Sequence, residues 1–359
     1  EGATYSFYKK TYPENPFSAS VIGWFVVFGY ISTLALYAFT FSSYLLSFFQ
    51  VHGVKFATEI TSAAIILVFI IINILSVNGM GKIEDLLVYT KIIILLVLSG
   101  LFIGLGDPSN LAIPSNQNFS FLSIFMCVHY ICCFEGFQLV IHAYNEAEDP
   151  DKNVPYAIYL AIAIALIIYV ILAIGALSAI PHDTLIRDKE YALAAGASSI
   201  LGGLGQFLVI FGALLATSSA ISGTLFGSSR LITVIANDGY FPQYLTKRNS
   251  KKIPVNSIWT MGALAFLLIF TGSLQVILEF GSITFIIVSV LMAIANYKMR
   301  KQTQTHGLIA LFAIISLTLG GLCLLYFEFK TDVSNLIYIF GLYGFLLIAA
   351  FFYAKLKKY

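Results

Sequence analysis

The sequence predicts an all-α polytopic membrane protein. Hydrophobic residues make up 59% of the chain and charged residues only 11%, against about 25% charge in an ordinary soluble domain. The mean hydropathy is +0.88. Apolar runs of about 20 residues recur from end to end, each long enough to cross the hydrocarbon core of a bilayer. The alternating outward-apolar segments of a membrane β-barrel are absent.

Ten spans follow in order: 20–49, 56–77, 86–106, 119–142, 156–180, 205–236, 255–271, 275–297, 307–328 and 334–354. The first and sixth are long enough to be tilted. The stretch "DKEYALAAGASSILGG" between the fifth and sixth is Ala-rich with a Gly stop and reads as a short external helix. The stretch "NDGYFPQYLTKRNSKKIP" (237–254) has Asp-Gly, Pro and four basic residues and reads as a loop. The whole chain, 1–359, is taken as a single transmembrane domain.

Lys and Arg set the orientation. One set of loops carries 14 of them, at 9, 10, 82, 152, 247, 248, 251, 252, 298, 300, 301, 355, 357 and 358; the opposite set carries four, at 55, 187, 189 and 330. Both ends are therefore expected in the cytoplasm, of a cell that holds the protein in its plasma or inner membrane. The four cysteines, Cys127, Cys132, Cys133 and Cys323, lie in apolar runs without zinc-ligand spacing and read as small core residues. The five histidines are scattered and form no H-E-x-x-H pair. No P-loop and no basic nucleic-acid patch occurs, so no cofactor, no metal and no nucleic-acid partner is expected, and no enzymatic activity.

Three places break the apolar pattern. In the fourth span, Phe134-Glu135-Gly136-Phe137 sets a carboxylate beside a helix-weakening Gly. A carboxylate at that depth is expensive, and irregular backbone survives there only where it lines a cavity or is buried in protein. A broken helix would offer free N–H and C=O groups to a ligand. A straight helix with Gly136 closely packed and Glu135 neutral fits the same residues. In the sixth span, Gly212, Ala216, Ala220, Gly223 and Gly227 form a small-residue stripe for close helix approach. Thr217, Ser218, Ser219 and Ser222 add hydroxyls that can hold an ion or bond across helices. Arg230, near the end of that span, reads as snorkelling. In the third span, Lys91 stands in "VYTKIIILLVLSG", about 8–12 Å inside. It either snorkels or is a buried ammonium able to exchange a proton.

Several pieces together resemble the amino acid–polyamine–organocation (APC) permease superfamily. "FEGFQLVIHAYNEAEDPDKNVPYAI" is similar to its sixth helix and following loop, "SGTLFGSSRLITVIANDGYFP" to the end of its eighth helix and the next loop, and "EGATYSFY" to the Gly-Gly-x-Tyr element before its third helix. The resemblance runs the full length, in order. It implies an inverted five-plus-five helix repeat with two further helices, of which ten of twelve are present here. The chain has no initiator Met, and helices one and two are expected to precede Glu1; the 359-residue chain alone is then expected not to transport.

By this resemblance Cys132, Cys133, Phe134, Glu135, Gly136 and Phe137 belong to the substrate site, with the carbonyls of an unwound helix six taking an ammonium. Lys91 falls where sodium-independent members keep a Lys in place of sodium, facing Thr217, Ser218, Ser219 and Ser222. The sequence departs from the family at Cys132, where many members have an aromatic lid, and at Asn145-Glu146, where an acidic pair is usual. The implied function is secondary active transport of amino acids or related amines, proton-coupled and sodium-independent. The partners are then a small-molecule substrate, protons and membrane lipids. The alternative is a transporter-like amino acid sensor that binds without moving its ligand.

Overall fold

A computed structural model describes residues 3–51, 56–75, 77–111, 134, 136–188, 191–271, 274–331 and 333–356. All regular structure among them is helical: α1 (Ala3–Thr11), α2 (Pro16–Phe48), α3 (Ala57–Leu75), α4 (Val77–Leu105), α5 (Pro150–Ala179), α6 (His182–Asp188), α7 (Ala192–Asn237), α8 (Val255–Thr271), α9 (Leu274–Met299), α10 (Gly307–Thr331) and α11 (Val333–Leu356). Short 3-10 helices occupy Pro108–Leu111, Phe137–Glu146 and Gln243–Thr246. Eight of the helices are long and apolar enough to cross a membrane, and Val255–Phe270 is a shorter apolar helix.

The helices depart from the expected spans in three places. α4 starts at Val77 rather than 86, so Lys82 and Glu84 are helical. The expected external helix and sixth span join in α7, interrupted at Gly202, whose φ of 66° and ψ of −155° suit only glycine. The expected fourth span lies largely outside the described residues, and its end from Phe137 is 3-10 rather than α-helical.

The chain divides into two compact units. Residues 1–36, 119–156 and 224–359 form one; residues 37–118 and 157–223 form the other. Helices that meet in lipid gain little from apolar burial, because lipid tails are as apolar as leucine. They associate instead through close packing and interhelical hydrogen bonds. The second unit centres on Leu98 and Phe102 of α4, Ile180, and Ala194, Ala197, Val209 and Ile210 of α7. Glycines bring α4 and α5 together. A Cβ added at Gly175 would lie 3.1 Å from the Ser99 carbonyl oxygen, and one added at Gly106 would lie 2.4 Å from Ser178 Oγ. The Asp107 N–H (3.0 Å) and Asn110 Nδ2 (2.9 Å) donate to the Ser178 carbonyl just beyond α4. The exposed Asp107 carboxyl is in turn held below its ordinary range by hydrogen bonds from Ser109.

Buried hydroxyls stitch the first unit. Ser32 Oγ donates to the Ile277 carbonyl (2.6 Å), Ser20 Oγ to that of Ala350 (2.8 Å), and Thr284 Oγ1 pairs with the Tyr343 hydroxyl (2.8 Å). α7 ends in a Schellman motif: Tyr240 N–H reaches the Ile235 carbonyl (3.1 Å) and Gly239, at φ 83°, that of Ala236 (2.9 Å). This turn places Asp238 against α1, where it accepts from the Tyr5 hydroxyl (2.6 Å) and pairs with Lys9 (2.7 Å). Burial first, then the Asp238 hydrogen bond and charge, push the Tyr5 hydroxyl well above the ordinary tyrosine range. Tyr5 thus stays a proton donor at every physiological pH.

Gly106→Ala is expected to destabilise the protein by about 1–3 kcal/mol, the usual range for overpacking. Gly104→Ala, at a site with nothing within 4 Å of the added carbon, is expected to be neutral or slightly stabilising. Thermal unfolding in detergent compares the two. Equal effects would show that the α4–α5 contact is looser than described.

Candidate functional site

Two polar features interrupt the apolar helices, one in each unit. In the second unit α4 and α7 run past each other through small residues. A Cβ at Gly212 would meet Ile94 Cγ2 at 3.0 Å, and one at Gly223 would meet Glu84 Oε1 at 3.2 Å. Between these contacts Lys91 Nζ donates to Ser219 Oγ across 3.3 Å. Ser219 is buried and Lys91 half-buried. Of the four hydroxyl residues expected to face Lys91, Ser219 makes this contact. The Thr217 hydroxyl turns back to its own helix, to the carbonyls of Ala213 (2.7 Å) and Leu214 (3.2 Å). Ser222 is buried and Ser218 half-buried on the same helix.

Glu84 was not singled out from the sequence, because the span was read as starting at 86. It stands seven residues before Lys91 on α4, two helical turns and so on the same face. The charges of Glu84 and Lys91 act on each other. The seven-residue spacing was the available signal, once α4 is extended to Val77.

In the first unit the chain enters a 3-10 helix through Gly136, at φ 116° and ψ −21°. That conformation is rare for any L side chain. The Leu139 N–H donates to the Gly136 carbonyl (2.9 Å), which starts the tighter 3-10 winding over Phe137–Glu146. Such winding marks strain or a functional break in a membrane helix. Among the described residues, and apart from its chain neighbours, no atom lies within 4 Å of the position a Gly136 Cβ would take. Phe134 and Phe137 are half-buried on either side; Cys132, Cys133 and Glu135 lie outside the described residues. Gln138 Oε1 accepts from the Tyr30 hydroxyl of α2 at 3.4 Å.

Other titratable groups sit apart from these features. Arg230, expected to snorkel, lies 3.3 Å over the ring of Phe226 and donates to that residue's carbonyl (3.1 Å). Glu279 on α9 and Glu328 on α10 are both fully buried. Gly321 packs on Ile286, its Cβ position 3.0 Å from Cγ2, and the two carboxylates stand seven residues along each antiparallel helix from that contact, at one level. Among the described residues no group of three or more His, Cys, Asp or Glu residues could hold a metal ion.

A model of the amino acid permease family matches residues 1–354. An uncharacterised protein of Methanocaldococcus jannaschii is 28% identical over 333 residues, covering 92% of this chain and 75% of that protein. The inner membrane transport protein YbaT of Escherichia coli is 30% identical over 187 residues, 51% of this chain and 42% of that protein. The human cystine/glutamate transporter is 25% identical over 256 residues, 69% of this chain and 51% of that protein. The chain thus spans about half of the length of the latter two. It belongs to the amino acid permease family, within the APC superfamily, and it is an integral membrane protein whose relatives carry the names of transporters.

Gly136→Ala is expected to cost about 1–3 kcal/mol through backbone conformation, since the added methyl meets no atom of the described residues beyond its chain neighbours. Gly136→Leu is expected to cost no more in stability. Both should lower substrate affinity if the break forms the site. Thermal unfolding and uptake by the protein from its full coding sequence read the two effects. Wild-type behaviour in both variants would place the binding site elsewhere.

Proposed function

We propose that this protein is a secondary active transporter of amino acids or related amines, coupled to protons and independent of sodium. The family match over residues 1–354 supports the transporter reading. The coupling reading is carried by one observation: inside two apolar helices, the Lys91 ammonium is held on Ser219 Oγ at 3.3 Å. A fixed cation in that seam stands where an alkali ion would otherwise be needed to neutralise helix carbonyls and hydroxyls.

The cycle then runs on one proton. With Lys91 charged, its donors hold α4 on α7. When the proton leaves, the neutral amine keeps a weaker hydrogen bond, and the seam is free to shift. The substrate's ammonium binds backbone carbonyls of the break at Gly136, with Cys132, Cys133, Phe134, Glu135, Gly136 and Phe137 as the residues of the site. The groups that bind are mainly backbone, so Glu135 tunes the site rather than builds it. We place both ends of the chain in the cytoplasm, from the excess of Lys and Arg in one set of loops, and the protein in the plasma or inner membrane. The helices are read as parts of an inverted five-plus-five repeat.

The test is uptake into liposomes by the protein from its full coding sequence, under an imposed pH gradient, with and without sodium. Uptake should need no sodium and should rise as the outside is acidified. Lys91→Ala should abolish proton-driven accumulation. Lys91→Arg should not restore it, because a guanidinium keeps its charge throughout. Full accumulation by the Ala variant would show that Lys91 only snorkels, and a strict sodium requirement in the wild type would overturn the coupling reading.

A further inference from the structure

We propose that Glu84 is a second proton-carrying group of the α4–α7 seam, exchanging the coupling proton with Lys91. The inference rests on the coupling reading above and extends it to a residue that neither the sequence patterns nor the family motifs single out.

Position is the first argument. Glu84 Oε1 lies 3.2 Å from where a Gly223 Cβ would stand, and Lys91 Nζ lies 3.3 Å from Ser219 Oγ. Ser219 and Gly223 are one turn apart on α7, so the two charged heads rest against that helix about 6 Å apart along its axis. Any residue but glycine at 223 would press on the carboxylate. The small-residue stripe therefore does two things here: it brings the helices together and it makes room for an acid beside the base.

Charge is the second argument. Among the described side chains, the charges that act on Glu84 are those of Lys91 and its exposed neighbour Asp85. From Ala192 to Gly223, α7 contributes no titratable residue. α3, which packs on α4, carries Glu59 in its first turn; α5 carries Asp151 and Lys152 in its first turn and Tyr156, Tyr159 and Tyr169 beyond. Tyr89 is the remaining titratable residue between Glu84 and Lys91 on α4, and it is exposed. Among the residues whose side chains are described, Lys91 is therefore the cation acting on Glu84.

Chemistry follows from the pair. In one state Lys91 is an ammonium and Glu84 a carboxylate. When the flexible Lys91 side chain swings toward Glu84 and the two heads meet, breaking one N–H bond and forming one O–H bond gives a neutral amine and a neutral carboxylic acid. The net charge is zero on both sides, so the transfer adds no charge to a low-dielectric seam, where an isolated ion is costly. Glu84 stands nearer the helix start, at the edge of the apolar run, and from there the carboxyl can release its proton to water. Lys91 alone would have to cross about 8–12 Å of apolar helix to do so.

The experiment uses the protein from its full coding sequence in sodium-free liposomes, with a labelled neutral amino acid that the wild type accumulates. Two quantities are read: accumulation driven by a pH gradient, and counterflow, which needs no gradient. Glu84→Gln keeps the shape and removes the titration. It should lower accumulation about tenfold, mid-range for a coupling free energy between sites, while counterflow persists. Glu84→Asp should restore part of the accumulation, and Gly223→Ala should shift the pH of half-maximal uptake. Wild-type accumulation by Glu84→Gln, with Lys91→Ala inactive, would overturn this inference and leave the coupling reading standing. Wild-type accumulation by both variants would overturn both. Loss of counterflow together with accumulation in Glu84→Gln, unrelieved in Glu84→Asp, would mean that Glu84 only holds the helices together, and would overturn the inference as well.

Discussion

A charge inside an apolar helix must be given polar company, and the seam between α4 and α7 is arranged around that requirement. Lys91 follows Val88, Tyr89 and Thr90 and precedes a run of Ile and Leu. Its ammonium is met by one buried hydroxyl, Ser219, and by the field of one carboxylate, Glu84. The contact with Ser219 could not form between helices separated by bulky side chains. Gly212 and Gly223 bring the backbones close enough. The same residues that let the helices pack therefore let the charge be held.

The rest of the molecule obeys the same rule with neutral groups. Ser20, Ser32 and Thr284 each donate or pair across helices at 2.6–2.8 Å, and Gly106 and Gly175 let α4 and α5 touch. Where a hydroxyl has no partner on another helix, it turns to its own carbonyls, as Thr217 does. Regular helix gives way at Gly136, where a left-handed residue starts a 3-10 segment. In a hydrocarbon setting such backbone persists where it faces protein or a cavity rather than lipid. The seam and the break are thus two kinds of polar site, one built from side chains and one from backbone.

Much of this was legible in the sequence because membrane helices announce themselves by length and apolarity. Nine of the ten expected spans coincide with helices, and the other lies largely outside the described residues. Lys91 stood out because it is a charge within a run, and the family resemblance pointed it toward Thr217–Ser222. Which hydroxyl it meets was not legible, because rotation of α7 about its axis is fixed by packing that no single-helix pattern contains. Glu84 was missed for a related reason: α4 continues past the apolar run to Val77, and hydropathy does not mark where a polar helical turn begins. Gly202 was read as a helix stop, yet α7 resumes at once on its far side, since one glycine's backbone freedom can bend a helix as readily as end it. Glu279 and Glu328 lie near the ends of apolar spans in sequence, and their complete burial comes from helix packing that hydropathy does not carry.

The central claim is that a proton on the α4–α7 seam accompanies each substrate. It is tested most directly by counting protons. Protein from the full coding sequence is placed in sodium-free liposomes loaded with a pH-sensitive dye, and internal acidification is measured against labelled substrate entering in the same sample. The account predicts a fixed whole-number ratio of protons to substrate that does not change when sodium is added. Substrate entry with no proton movement, or proton movement that appears only with sodium, would contradict it.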